Sequence, residues 1–282
     1  MKLKLKAWLA AAAAAFSVSA GADILPTGLQ PYEFVFEKFA STDFIAGFQN
    51  CVSHTAGKVS LFERCARQVR KVLEERYQAA YDEASSRCGA SQECRSALAE
   101  SFQYYEIYRS QMKNYLSLAL DPESLIGQRV ANGFEFYDLQ KQTVLLDMIS
   151  SGKTPGDAAF PSIKIGTKEM SCLSSAGTDQ KAATECLDDA YTAAGKNYRM
   201  FYQQLLKNGC PNQKFQASHD PRLRTCDSAM LQQSRSWISY RKAFANYISV
   251  VPGYGAHVVA RSFFLARETA KQAEIMAEVY RW

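Results

Sequence analysis

From Ser60 to Ser85 the chain has neither proline nor glycine, and apolar or aromatic residues return at every third or fourth position: Leu61, Cys65, Val69, Val72, Leu73, Tyr77, Ala80, Tyr81. That is the stripe of an amphipathic helix. Ser91 stands as an N-cap before a second helical segment, which runs to about Leu120 and is stopped by Asp121-Pro122. A third spans about Ser124 to Ile149. Gly152, Pro155 and Gly156 then break the pattern, and 151–166 reads as a linker. Beyond it the plan recurs, with helices predicted over Thr178–Leu206, Ser228–Val250 and Ala256–Tyr280 and a turn at Pro252-Gly253. Residues 23–50 hold many aromatics, among them Tyr32, Phe34, Phe36, Phe39, Phe44 and Phe48, without a clear period. They are expected to pack on the first bundle.

The recurrence is a duplication. Displaced by 132 positions, Tyr108-Arg109 falls on Tyr240-Arg241, Asn114-Tyr115 on Asn246-Tyr247 and Ser117 on Ser249. The cysteines follow: Cys51 and Cys65 are 14 apart, as are Cys172 and Cys186, while Cys94 and Cys226 each precede a Tyr-Arg pair by 14. Tyr77 and Tyr81 match Tyr198 and Tyr202. The main length change lies between the third and fourth cysteine of each copy, five residues in one and fifteen in the other. Register kept over so long a span marks an internal repeat. The predicted fold is all-α, two tandem disulfide-stapled antiparallel three-helix units at 51–150 and 167–282. The shared tyrosines, arginines and asparagines are expected to hold each second helix to its neighbours.

The first residues bear on the cysteines. Lys2, Lys4 and Lys6 precede an apolar run from Ala7 to Phe16 and small-residue cleavage sites ending at Ala20 and Ala22. Residues 1–22 therefore read as a secretory signal peptide, and the mature chain is expected in the periplasm or outside the cell. In that setting eight cysteines read as disulfides. Cys65 and Cys88 sit at opposite ends of one helix, roughly 34 Å apart, whereas a disulfide needs Cα atoms within about 7 Å. Cys94 opens the next, antiparallel helix, beside Cys88. The expected bridges are Cys51–Cys65 and Cys88–Cys94, and by the same reasoning Cys172–Cys186 and Cys210–Cys226. Removing the three leader lysines leaves 30 of the 33 basic residues against 28 acidic ones. This near balance gives no electrostatic case for nucleic acid or an anionic membrane. No later stretch is long and apolar enough for a transmembrane helix.

The second copy resembles the lysozyme inhibitor LprI-like domain family. Cys172 and Cys186 match that family's opening cysteine pair, Tyr202 the tyrosine of its Leu-Asn-x-x-Tyr helix, and Arg235, Trp237, Tyr240 and Arg241 its Gln-Arg-Ala-Trp-x-x-Tyr-Arg helix. Arg267-Glu268-Thr269 lies where the family's last helix does. Tyr198-Arg199 replaces Leu-Asn, Ser234 the glutamine, and Ala245 a cysteine common in the family. In the first copy Gln103 and Tyr105 stand for the Arg and Trp. The resemblance implies an exported binding protein that inhibits a lysozyme or related peptidoglycan hydrolase. The alternative is a non-inhibitory envelope protein whose helical surface binds another protein.

Candidate chemistry is sparse. Trp237, Tyr240, Phe244 and Tyr247 form one stripe, either a buried helix face or, with Arg235 and Arg241, a partner-binding face of hot-spot residue types. The loop 210–226 carries Lys214, Phe215, His219, Arg222 and Arg224. Closed at its base and longer than its counterpart, it suits presentation to a carboxylate-bearing cleft of a glycosidase. The second copy is thus the expected seat of function. His54, His219 and His257 sit in no metal or catalytic motif, and no GxSxG, P-loop or GxGxxG occurs. No catalytic residue, metal or cofactor is assigned, and no enzymatic activity is expected. A carboxylate-using hydrolase is the weaker third reading.

Overall fold

The apolar stripe of the first predicted helix becomes a buried seam. In a computed structural model, which describes residues 58–120, 125–153, 167–209 and 223–281, α1 (Val59–Cys88) buries Phe62, Ala66, Val69, Leu73, Tyr77, Ala80, Ala84 and Cys88. These positions recur at three and four. The helix ends where Gly89 takes φ 53° and returns its N–H to the Ser86 carbonyl, a left-handed stop that favours glycine. Ser91 caps α2 (Gln92–Ala119) as predicted, its hydroxyl accepting from the Cys94 N–H at 3.2 Å. Then come α3 (Leu125–Ser150), α4 (Thr167–Ala176), α5 (Gln180–Asn208), α6 (Leu223–Val250) and α7 (His257–Arg281). No strand occurs among the described residues.

The differences from expectation are local. α5 starts at Gln180, two residues after Thr178, and Asp179 caps it, accepting from the N–H groups of Lys181 and Ala182. α6 starts five residues earlier than Ser228, at Leu223. The short α4, which carries Cys172, was not foreseen, because ten residues are too few to display a clear period.

The bridges Cys88–Cys94 and Cys172–Cys186 form as predicted, with Cα atoms 5.4 and 5.8 Å apart. Cys65 and Cys226 are also disulfide-bonded, but Cys51 and Cys210, their expected partners, lie outside the described residues, as do 23–50. By loop-closure entropy, replacing both cysteines of the Cys172–Cys186 pair with serine should cost about 3 kcal/mol, and the shorter Cys88–Cys94 loop about 2 kcal/mol. Urea unfolding of the two double variants checks that order; a larger loss for the shorter loop would contradict it.

The two copies pack on each other. The most extensive helix contact is between α2 and α6, the equivalent helices of the two copies; α5 with α7 and α1 with α3 come next. One core runs from Phe62 to Val279 through both copies. Tyr108 and its counterpart Tyr240 stack on one another, centroids 5.6 Å apart and planes 8° from parallel. Within each copy the same ring contact recurs: Tyr77 on Tyr105 at 5.1 Å, and Tyr198 on Trp237 at 5.0 Å. Tyr254, in the α6–α7 turn, donates to the Lys153 carbonyl at the end of α3 (2.9 Å). At the Tyr108–Tyr240 stack, like thus meets like across the two copies. The repeated Tyr115 and Tyr247 are buried, but Asn114 and Asn246 are exposed and do not hold the helices.

Candidate functional site

The third helices, α3 and α7, bury polar side chains where an ordinary bundle buries leucine: Gln140, Lys141 and Gln142 on one, Arg267, Glu268, Lys271 and Gln272 on the other. Displaced by 130 positions, Asp138, Lys141 and Gln142 fall on Glu268, Lys271 and Gln272. Each copy's motif is completed by the other copy. Tyr108 donates to Gln272 Oε1 at 3.2 Å, and Tyr240 donates to Gln142 Oε1. Lys271 bonds Asp138, and Lys141 pairs with Glu268 at 3.2 Å. Lys271 also reaches Glu268 on its own helix, at 2.6 Å. Such i-to-j and j-to-i contacts are the mark of an isologous interface, here within one chain.

Charge at this depth is tolerated only when paired. Burial alone would raise the Glu268 carboxyl, but Lys141, Lys271 and Arg267 hold it down to about 2. Burial alone would lower Lys271; Asp138 and Glu268 overcome it and push the ammonium well above its ordinary value. Lys141 moves the other way. Its burial, reinforced by Arg267 and Lys271, outweighs Glu268 and Asp138 and drives it well below the usual lysine range. The Lys141–Glu268 pair is therefore unequal, because the carboxylate answers two ammonium groups and Lys141 shares it.

Next to this network a cleft of about 160 Å³ opens among α1, α2 and α3, lined also by Ile275 of α7. Tyr108 and Asp138 belong to both cleft and network. One wall is a charge lattice. Arg70 Nε reaches Glu135 at 2.9 Å and its Nη2 reaches Asn132 Oδ1 at 2.8 Å. Arg109 bonds Glu106 and Glu74 at 3.0 Å and Glu135 at 3.4 Å. The other wall is apolar: Met112, Leu116, Leu120, Ala131 and Phe134.

The second copy has lost this lattice. In register, Tyr191 replaces Arg70, Gly195 replaces Glu74, Ile238 replaces Glu106 and Leu265 replaces Glu135. Arg241, the counterpart of Arg109, instead lies over the rings of Trp237 (4.4 Å) and Tyr191 (5.5 Å) and donates to Thr269 Oγ1 at 2.8 Å. Among the described residues, this charge lattice is thus confined to the first copy.

Of the predicted site residues, Trp237 is 1% exposed and Tyr240 fully enclosed. Both are core residues as the protein stands, Trp237 against the Tyr198 ring and Tyr240 among the rings of Tyr105, Tyr108, Phe244 and Phe264, so neither offers an exposed face. Arg241 is half-buried by the rings it covers. Arg235 is exposed, between Leu231 and Ile238, which are 38% and 48% exposed on the same face of α6. Lys214, Phe215, His219 and Arg222 lie outside the described residues. Arg224 falls in the first turn of α6, and its side chain is likewise not described. The Asp/Glu-x-x-Lys-Gln repeat escaped sequence reasoning although it is visible there: Phe134 and Phe264 each precede the acid by four residues.

Among the described residues no group of His, Cys, Asp and Glu is arranged to hold a metal ion, and no helix is long and apolar enough to cross a membrane. No protein-family model, curated protein or solved structure matches the chain.

Proposed function

We propose that this chain is an exported, non-enzymatic binding protein whose target is a lysozyme or related peptidoglycan-cleaving hydrolase. The observation that carries the reading is the contact between the two helices that resemble the LprI-like pattern. Tyr198 of α5 packs on Trp237 of α6 and donates to Ser234 Oγ at 3.0 Å, while the Arg241 guanidinium lies over the indole. Of the residues that match the pattern, Trp237 and Arg241 thus pack together, and Cys172–Cys186 staples the start of α5; Tyr198 and Ser234, which complete the contact, stand where the pattern has leucine and glutamine. Observed disulfides support an oxidising compartment, where such hydrolases meet the envelope.

Turbidity clearing of purified cell walls by a panel of lysozymes, with and without mature protein at about 10 µM, tests this. Inhibition of at least one enzyme is the expected result; failure to slow any of them removes the proposal. The alternative, an envelope protein that binds a partner without inhibiting it, draws on the exposed Leu231–Arg235–Ile238 stripe of α6. It predicts no change in clearing in the same assay.

A further inference from the structure

The two Tyr-Arg motifs differ in what their arginines face. Arg241 has a ring of its own helix on one side, Trp237, and a tyrosine ring supplied by α5 on the other, Tyr191. Arg109 has the first of these, Tyr105 at 5.8 Å. Where the second ring would stand, the first copy carries Arg70, which is drawn onto Glu135 and Asn132. The cleft opens beside Arg109 on this side. The duplication therefore holds a filled and an unfilled version of one arrangement.

We propose that the cleft of the first copy is a binding subsite for a single neutral phenol-type ring, as on a tyrosine side chain. Its size sets the limit. About 160 Å³ matches cavities that admit one benzene-sized ring and falls short of the several hundred Å³ of a complete small-molecule site. Its lining sets the chemistry. The ring body meets Met112, Leu116, Ala131 and Phe134, while three carboxylates (Glu63, Glu135, Asp138) and three cations (Arg70, Arg109, Lys113) surround it. That balance gives an ionised ligand no net attraction, whereas a hydroxyl can donate to a carboxylate and accept from a cation. The subsite concerns the chain itself and does not depend on the hydrolase proposal.

The test is titration of the mature protein with p-cresol, followed through methyl NMR of methionine-labelled protein at Met112. Saturable binding at about 1 mM or tighter is expected for so small a ligand, with toluene at least fivefold weaker. N-acetyl-tyrosinamide binding more tightly than p-cresol supports a partner's tyrosine as the source; equal or weaker binding supports a free phenol. Ala131→Phe, which fills the cleft, should weaken p-cresol at least tenfold while the melting transition stays cooperative. Should that variant not fold, nuclear Overhauser contacts from the p-cresol ring to the methyl groups of Met112 and Ile275 in the unaltered protein decide the matter. No saturation by about 10 mM, toluene binding as tightly as p-cresol, undiminished binding by folded Ala131→Phe, or contacts elsewhere on the surface would each overturn the proposal.

Discussion

Glu268→Gln should cost about 3–5 kcal/mol of folding stability at pH 7, the loss typical of breaking a buried pair from one side. The substitution keeps volume and shape but leaves Lys141 and Lys271 buried with Asp138 as the remaining carboxylate of the crossed set. The loss should also depend on pH. The Glu268 carboxyl is held down to about 2 in the folded protein, against an ordinary 4.5. Its contribution is thus complete above about pH 4.5 and disappears as pH falls towards 2, a span corresponding to about 3 kcal/mol. The stability gap between the native protein and Glu268→Gln should therefore close on acidification through that window. Urea unfolding of both proteins at pH 7, 4 and 2.5 measures it, and a gap that is constant with pH would show that Glu268 is not ionised in the core. Lys271→Met should cost more than Lys141→Met, because Lys271 answers two carboxylates and Lys141 shares one.

Trp237→Ala should cost a further large sum, about 3–5 kcal/mol, the range for removing a buried aromatic without refilling its space. The indole is enclosed by Tyr198 and by the Arg241 guanidinium, and neither can collapse into the void without giving up a partner of its own. Trp237→Phe should recover more than half of the loss. Arg235→Ala, two residues away and exposed, should leave stability within about 0.5 kcal/mol. Comparing these with affinity for a target separates the two readings of the Trp-x-x-Tyr-Arg helix. If Trp237→Phe remains folded and binds an inhibited hydrolase within about twofold of the native protein, the tryptophan is scaffold. A tenfold loss of binding without loss of stability would instead make it an anchor.

Helices whose cores are apolar were legible from the sequence. The stripe of α1, the Ser91 cap and the turn at Pro252-Gly253 all follow from local chemistry, and so do the two observed bridges. α3 and α7 were placed to within a few residues, yet their inward faces were not recognisable. A buried Lys141 or Glu268 looks on paper like a solvated position, and only its partner 130 or so residues away makes it a core residue. The same gap hid how the two copies associate. Periodicity reports which face of a helix is buried, not against what, so the packing of the two three-helix units stayed open. The charge lattice beside Arg109 was hidden for a related reason: Arg70, Glu74, Glu106 and Glu135 come from three helices and have no common spacing. Repeat comparison could have revealed it, since those four charged positions of the first copy are Tyr191, Gly195, Ile238 and Leu265 in the second.

The pairing of α2 with α6 has a kinetic consequence. Tyr108 and Tyr240 meet across 132 residues of chain, and the lysines of the crossed charge set find their acids only after α7 has been made. Contacts at such sequence separation form late and slow folding. A nascent first copy, although its helices can form, leaves the α2 face open and Asp138 and Lys141 without their α7 partners until the last helix arrives. The chain should therefore fold after synthesis rather than during it, in a single cooperative step that closes both copies at once.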